Sequence, residues 1–520
     1  MSIVSFSFIL FSLLAWLCYY LVKKPYRWIV LLCFSAAFYL FAGVKLMAYL
    51  LAATLCTYFA GRMLGKMRAR MQAEQKAPGA DRAKVKKAYT KKMRLIVAGA
   101  LVLVFGILFS VKYLNFCLGL LGPLLERAGL GAFPTISLLL PLGISFYTFQ
   151  AAGYVFDVYR GKTAAEENFF RYALFVSFFP QIIQGPISFH KELSGQLYEG
   201  HDFQFPRMER AFYLILWGYF KKMMIADRLI MDVARIFNLE EGCTGLAALL
   251  GAALYCLQIY TDFSGGIDIC RGIAEGFGVT LPVNFNQPFF AKSLNDFWQR
   301  WHITLGRWMR EYIFYPVAIS KPMAKLAKAL RPKSPYLAKA LPTSIATVLV
   351  FFVVGVWHGA ATKYIVFGLY FALLITLGIL AEPLTNGLVT RLHIRRESLW
   401  YRVFCVLRTD FICIVGFFFA RADRVGDGVT LIKRTFTALF SGFRYDFWMT
   451  VPNQIVLAVS LCLLIAVSVL SERKVDVRAQ LMARPFPLRW AVALLGVLLL
   501  LVLGVYGPGY AAADFIYMGF

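Results

Sequence analysis

Residues 3–22 read Ile3-Val4-Ser5-Phe6-Ser7-Phe8-Ile9-Leu10-Phe11-Ser12-Leu13-Leu14-Ala15-Trp16-Leu17-Cys18-Tyr19-Tyr20-Leu21-Val22, and Lys23, Lys24 and Arg27 follow. No charge interrupts the run, and as an α-helix it is about 30 Å long, the thickness of a bilayer's hydrocarbon core. No basic segment precedes it and no small-residue cleavage pattern follows it, so it reads as a first transmembrane helix and not as a cleaved signal. The basic residues after it place that end in the cytoplasm.

The same pattern recurs outward along the chain. Apolar runs lie at 28–43, 46–61, 95–121, 135–157, 167–187, 208–226, 245–263, 340–357, 362–381, 403–420, 452–470 and 488–506. The stretch 264–290 is apolar but interrupted by Gly and Pro, and reads as a re-entrant segment or a further span. The 520 residues are 60% hydrophobic and only 16% charged, with a mean hydropathy of +0.64. Soluble domains carry about 25% charged residues. The expected fold is an all-α polytopic membrane protein with about 11–14 spanning or re-entrant helices. We expect one membrane domain over 1–520: N-terminal helices to 134, a core over 135–420, and C-terminal helices over 421–520.

Lysine and arginine number 55 against 28 acidic residues, a formal charge of +27. The segment 62–94 carries twelve basic residues and two acids, Glu74 and Asp81. Basic loops stay on the cytoplasmic side, so 62–94, 292–340 and 472–489 are assigned there and both termini fall outside. The basic residues sit in loops between spans, which points to anionic membrane lipids and excludes a nucleic-acid role. Ten cysteines, none in a C-x-x-C pair, indicate neither a disulfide framework nor a zinc site. No loop is long enough for a soluble catalytic domain, so any chemistry lies within the membrane body.

Polar residues inside apolar segments are costly and mark function. Three places carry them. Val356-Trp357-His358-Gly359 ends an apolar run, and the next run resumes after Lys363. A neutral His is a general base near pH 7; the alternative is a structural His bonded between helices. In the second place, Trp298, Trp301, Leu305, Trp308, Met309 and Tyr312 share one face at helical spacing, with Arg300 and Arg307 opposite. This predicts one amphipathic helix at the cytoplasmic interface, with His302 at the edge of its apolar face, or else an interfacial His in contact with headgroups or water. In the third, Tyr260-Thr261-Asp262-Phe263-Ser264-Gly265-Gly266-Ile267-Asp268 places two carboxylates and a Gly pair in an apolar region. It predicts a broken helix, with Arg271 or Arg300 neutralising the buried Asp. Gln184-Gly185-Pro186 is a similar break.

The segments Asn295-Asp296-Phe297-Trp298-Gln299-Arg300-Trp301-His302 and Val356-Trp357-His358-Gly359 together resemble the membrane-bound O-acyltransferase family. So do Pro141-Leu142-Gly143-Ile144-Ser145-Phe146-Tyr147, Gln184-Gly185-Pro186, and Tyr260 to Asp268 with Asn284-Phe285 and Pro288. The ending Phe515-Ile516-Tyr517 is also similar. The match is to the bacterial branch that holds the membrane subunits of alginate O-acetylation and of teichoic-acid D-alanylation. The resemblance implies a ring of tilted helices around a thin core, with an outer funnel and a cytoplasmic tunnel. It implies that His358 is catalytic and His302 assists. Trp298, Trp301, Trp357, Gln184, Tyr260, Asp262, Ser264, Asn284 and Arg307 are then expected to bind substrate or support the site. No bound cofactor or metal is expected. The acyl donor would be acetyl-CoA or the thioester of an acidic acyl carrier protein, and an extracytoplasmic acetyltransferase or other polysaccharide-modifying protein a partner. The competing functions are D-alanyl transfer to teichoic acid, a transporter of lipid-linked sugars and a non-catalytic scaffold for polysaccharide export.

Overall fold

A computed structural model describes residues 3–129, 136–182, 184–238, 245–438 and 447–506. Cys243 and the ending Phe515-Ile516-Tyr517 lie outside the described residues. Among the described residues there is no β-strand, and nine helices are long and apolar enough to cross a membrane. A helix satisfies every backbone group within its own segment, the requirement that lipid imposes.

Contacts divide the chain into two compact units, Met1–Ile215 with Cys270–Pro282, and Leu216–Ile269 with Val283–Phe520. The first holds α1 (Phe6–Leu21), α2 (Arg27–Ala42), α3 (Val44–Lys76), α4 (Arg82–Lys112), α5 (Leu114–Arg127), α6 (Ile144–Arg160), α7 (Phe169–Ser177), α8 (Phe179–Ile182), α9 (His190–Tyr198) and most of α10 (Phe205–Tyr219). Here α3 packs on α4 and α6, and α2 on α7. Side-chain oxygens at Ser5, Asp81 and Asn168 cap α1, α4 and α7, satisfying amides that the first turn leaves open.

The second unit holds α11 (Ile230–Phe237), most of α12 (Leu246–Gly276), α13 (Leu294–Arg300), α14 (Ile303–Met309), α15 (Tyr315–Ala318), α16 (Lys321–Leu330), α17 (Pro335–His358), α18 (Thr362–Leu380), α19 (Glu382–Arg391), α20 (Leu399–Arg421), α21 (Val425–Thr437), α22 (Val451–Glu472), α23 (Val477–Met482) and α24 (Phe486–Leu503). A π-helical turn, Phe220–Ala226, extends the chain after α10. The helices α17 and α18 form an antiparallel pair joined by only Gly359, Ala360 and Ala361.

The structure corrects several expectations. The stretch around Gly265-Gly266 is not a broken helix: α12 runs unbroken from Leu246 to Gly276. The glycine serves close approach instead. A Cβ on Gly265 would lie 2.8 Å from the Gly218 carbonyl oxygen, and one on Gly218 would lie 2.6 Å from that of Gly265. The expected spans at 135–157, 167–187 and 208–226 are replaced by shorter elements. Helix α6 starts only at Ile144, α7 and α8 are separated at Phe178, and α10 gives way to the π turn. Helix α6, α8 and the second half of α7 are buried by protein, so their apolar content reflects packing, whereas Phe205 and Phe212 of α10 are exposed. Helix α1, at sixteen residues, also falls short of a full span. The helix predicted over Trp298 to Tyr312 is interrupted at Trp301-His302.

Candidate active site

His302 sits at the break between α13 and α14 with φ +46°, a left-handed conformation that non-glycine residues rarely adopt. Asn284 holds it there. Its backbone oxygen accepts from the Ile303 amide at 3.0 Å. Its side-chain Oδ1 accepts from the Thr304 amide at 3.0 Å and the Thr304 hydroxyl at 2.8 Å, and lies 3.3 Å from His302 Nδ1. One fully buried amide therefore replaces the hydrogen bonds that a continuous helix would have made. Backbone strain of this kind persists only where surroundings over-determine it, and it concentrates at functional sites.

The His302 ring is 2% exposed and His358 is 7% exposed. The Trp357 indole touches both, with ring centroids 5.4 Å from His302 and 5.1 Å from His358. Phe263, from α12, meets the His302 ring edge-on at 4.8 Å. Burial, and secondarily the neighbouring His358, hold the His302 pKa well below the usual histidine range, so its ring is neutral. With Nδ1–H donating to Asn284, the tautomer this network assigns, Nε2 keeps its lone pair.

His358 ends α17 and faces a narrow pocket lined by Tyr255, Ile259, Trp298, Trp301, Tyr364, Phe367, Phe417 and Ala420. The three-residue join to α18 lets Tyr364 and Phe367 approach it, with centroids at 6.4 and 5.8 Å. A Cβ on Gly359 would strike the Tyr364 ring at 2.4 Å. Trp301 stacks on Phe297 at 5.5 Å and touches Tyr260 and Phe417. Trp298 packs on Phe351 and Phe371, and its buried Nε1 has no hydrogen-bond partner among the described residues. The structure thus brings His302, His358, Trp298, Trp301, Trp357, Tyr260 and Asn284 together.

Other expected residues take different places. The Asp262 carboxylate, for which an arginine partner was expected, pairs with a lysine. Lys222 Nζ lies 2.7 Å from Asp262 and 2.7 Å from Asp227. Arg300 instead pairs with Asp296 and Glu472. Ser264 accepts from Lys221, whose Nζ also lies 2.7 Å from Asp268. Lys221 and Lys222 were not singled out from the sequence, although two lysines inside the apolar run 208–226 were a readable signal. Arg307 is exposed, away from the histidines' pocket. Gln184 belongs to the first unit. It is fully buried, and neither its amide oxygen nor its nitrogen has a partner among the described residues, a costly state for a polar group.

Asn284→Ala is expected to remove the acceptor for Thr304 and release the left-handed turn. Leaving the buried Thr304 donors unsatisfied costs about 1–3 kcal/mol. Asn284→Asp, which keeps an acceptor oxygen, should retain more of both stability and product formation. Thermal midpoints of the detergent-solubilised proteins check the first, and an acyl-transfer assay the second; equal behaviour of the two variants would remove the positioning role of Asn284.

Fold and site together define a multi-pass helical membrane protein with two buried histidines against one indole. The profile of the membrane-bound O-acyltransferase family matches residues 165–330. The chain is 31% identical to the probable alginate O-acetylase AlgI of Pseudomonas aeruginosa over 70% of its own length and 64% of that protein's. It is 30% identical to the peptidoglycan O-acetyltransferase of Helicobacter pylori over 66% of its length and 62% of that protein's. With the teichoic acid D-alanyltransferase of Bacillus subtilis the identity is 29% over 47% of this chain and 60% of the relative. The chain belongs to the membrane-bound O-acyltransferase family. It spans less than two thirds of the length of these curated relatives.

Proposed function

We propose that this protein is a membrane-embedded O-acyltransferase. It moves an acyl group, in the simplest case acetyl, from a cytoplasmic thioester toward a cell-surface polysaccharide or an extracytoplasmic partner transferase. The observation that carries the reading is the pair of buried histidines on either side of Trp357 in a member of this family. Acetyl is preferred over D-alanyl because the O-acetylase relatives align over 70% and 66% of the chain, against 47% for the D-alanyltransferase.

In this mechanism His358 takes the proton of the acceptor hydroxyl as its oxygen attacks the thioester carbonyl. The tetrahedral intermediate collapses, the C–S bond breaks, and the proton passes from His358 to the departing thiolate. The products are an ester and a free thiol. General-base assistance of this kind is worth about 10²–10⁴-fold. His302, with Nε2 carrying a lone pair, is poorly suited to binding a carbonyl oxygen, and assists by packing on Trp357 beside His358. The protein is placed in the bacterial cytoplasmic membrane with the basic segments 62–94, 292–340 and 472–489 inside and both termini outside.

The test is mass spectrometry of surface glycans from cells with and without the chain: loss of ester-linked acyl groups with glycan export intact supports the reading. Loss of export with acylation of the remaining glycan unchanged would favour a transporter. A second measurement concerns the donor entrance. Arg307 and Arg310 are both exposed, and reversing both charges should raise the KM for acetyl-CoA by roughly three- to tenfold through lost electrostatic steering. The KM for acceptor should stay constant; an unchanged donor KM counts against an entrance there.

A further inference from the structure

In the transfer described above, three groups converge on the reacting carbonyl carbon. They are the acceptor oxygen with its sugar, the sulfur with its carrier, and the chain of the acyl group itself. The first two are bulky and polar, and each must enter and leave along an open path. The acyl chain is small and apolar, and it alone suits an enclosed apolar cavity.

The cavity beside His358 fits that third group. Measured to the centre of a water-sized sphere, its volume is about 10 Å³, room for a single water molecule. A methyl group is only slightly larger. Much of the wall is ring face and aliphatic carbon: Tyr255 and Ile259 from α12, Phe367 from α18, and Phe417 and Ala420 from α20. All five are buried.

Phe417 is the ring best placed to set the size. Its centroid lies 5.6 Å from Phe367, 5.7 Å from Trp301 and 6.1 Å from Tyr255, and all three also line the cavity. The helix that carries it is pinned to α18. A Cβ on Gly416 would lie 2.8 Å from the Phe371 ring, and the Tyr370 hydroxyl donates to the Ile412 carbonyl at 2.9 Å. Moving the Phe417 ring therefore means repacking three others, and interiors of this density resist even one added methylene.

Resting on the acyltransferase reading above, we propose that this cavity receives the acyl chain and that Phe417 closes it after two carbons. The site then selects acetyl over longer acyl groups. It also rejects D-alanyl, which carries a methyl and an ammonium where acetyl carries two hydrogens. Aromatic faces attract a cation, but the cavity lacks the room.

Membranes holding the full-length protein and acceptor glycan test this, supplied with acetyl-, propionyl- and butyryl-CoA in competition, or with the same acyl groups on acyl carrier protein. Mass spectrometry of the ester-linked acyl groups gives the ratio of kcat/KM values, which reads the chain and cancels the carrier. The wild type should favour acetyl over propionyl by about 10–200-fold, the range for one methylene in an apolar pocket. Phe417→Leu and Phe417→Ala should lower that ratio at least about tenfold, the alanine variant also admitting butyryl. Phe371→Leu changes an equally buried ring outside the cavity's lining and should keep the wild-type ratio. Ile259→Val trims one methylene from another wall at little cost in stability, and should lower the ratio severalfold. Equal use of the three acyl groups by the wild type overturns the proposal. So does a wild-type ratio in the Phe417 variants or, should neither fold, in Ile259→Val. An equal shift in Phe371→Leu also overturns it, because the preference would then come from general packing. Failure of the acyltransferase reading is separate: the wild type would form no ester from any of these donors.

Discussion

Replacing His358 with alanine is expected to lower acyl transfer by about 10²–10⁴-fold, the range for removing a general base, while the protein still inserts and purifies as the wild type does. The side chain is buried at the end of α17, where it faces the narrow pocket, so the loss is expected to fall on chemistry more than on folding. Comparison with His302 sharpens the test. At φ +46° an asparagine is tolerated better than an alanine, so His302→Asn should retain the break between α13 and α14, and His302→Ala should loosen it. Acyl groups on surface glycan, quantified by mass spectrometry in cells making equal amounts of each protein, provide the readout. Wild-type acylation by well-folded His358→Ala would falsify its assignment as the base.

Lys222→Met should have the largest effect on stability. Lys222 is 1% exposed and lies 2.7 Å from each of two carboxylates. Removing one partner of a buried pair strands the other charge, at a cost of about 3–5 kcal/mol. The damage should reach the site, because Asp262 immediately precedes Phe263, whose ring packs on His302. The expected result is a large loss of monodisperse protein on size-exclusion chromatography. Combining Lys222→Met with Asp262→Asn removes one of the stranded charges and should recover part of it. If the single variant is as stable as the wild type, the cluster is not holding α12 in place.

Much of this was legible in the residues. Apolar runs of helix length foretold the spans α2, α3, α4, α17, α18, α20, α22 and α24, because hydropathy is a local quantity that sums along one segment. The brevity of the join after His358 was legible for the same reason: only a few residues separate two apolar runs. Periodicity misled at Trp298 to Tyr312. The spacing was helical, but Asn284, eighteen residues before His302, captures the Thr304 donors and turns the chain. The Gly265-Gly266 pair read as a break because glycine is a poor helix former, yet here it admits the backbone of Gly218.

By itself the sequence determined that the chain is a multi-pass helical membrane protein, with a histidine closing one apolar helix and a second histidine in an aromatic-rich segment. The tertiary structure decided which groups meet: Asn284 with His302, Lys222 with Asp262 forty residues away, and one indole against two imidazoles. The reason is physical. Transfer into lipid depends on a segment's own side chains, whereas a buried polar partner is selected by how helices pack, and packing brings together residues that no local pattern links.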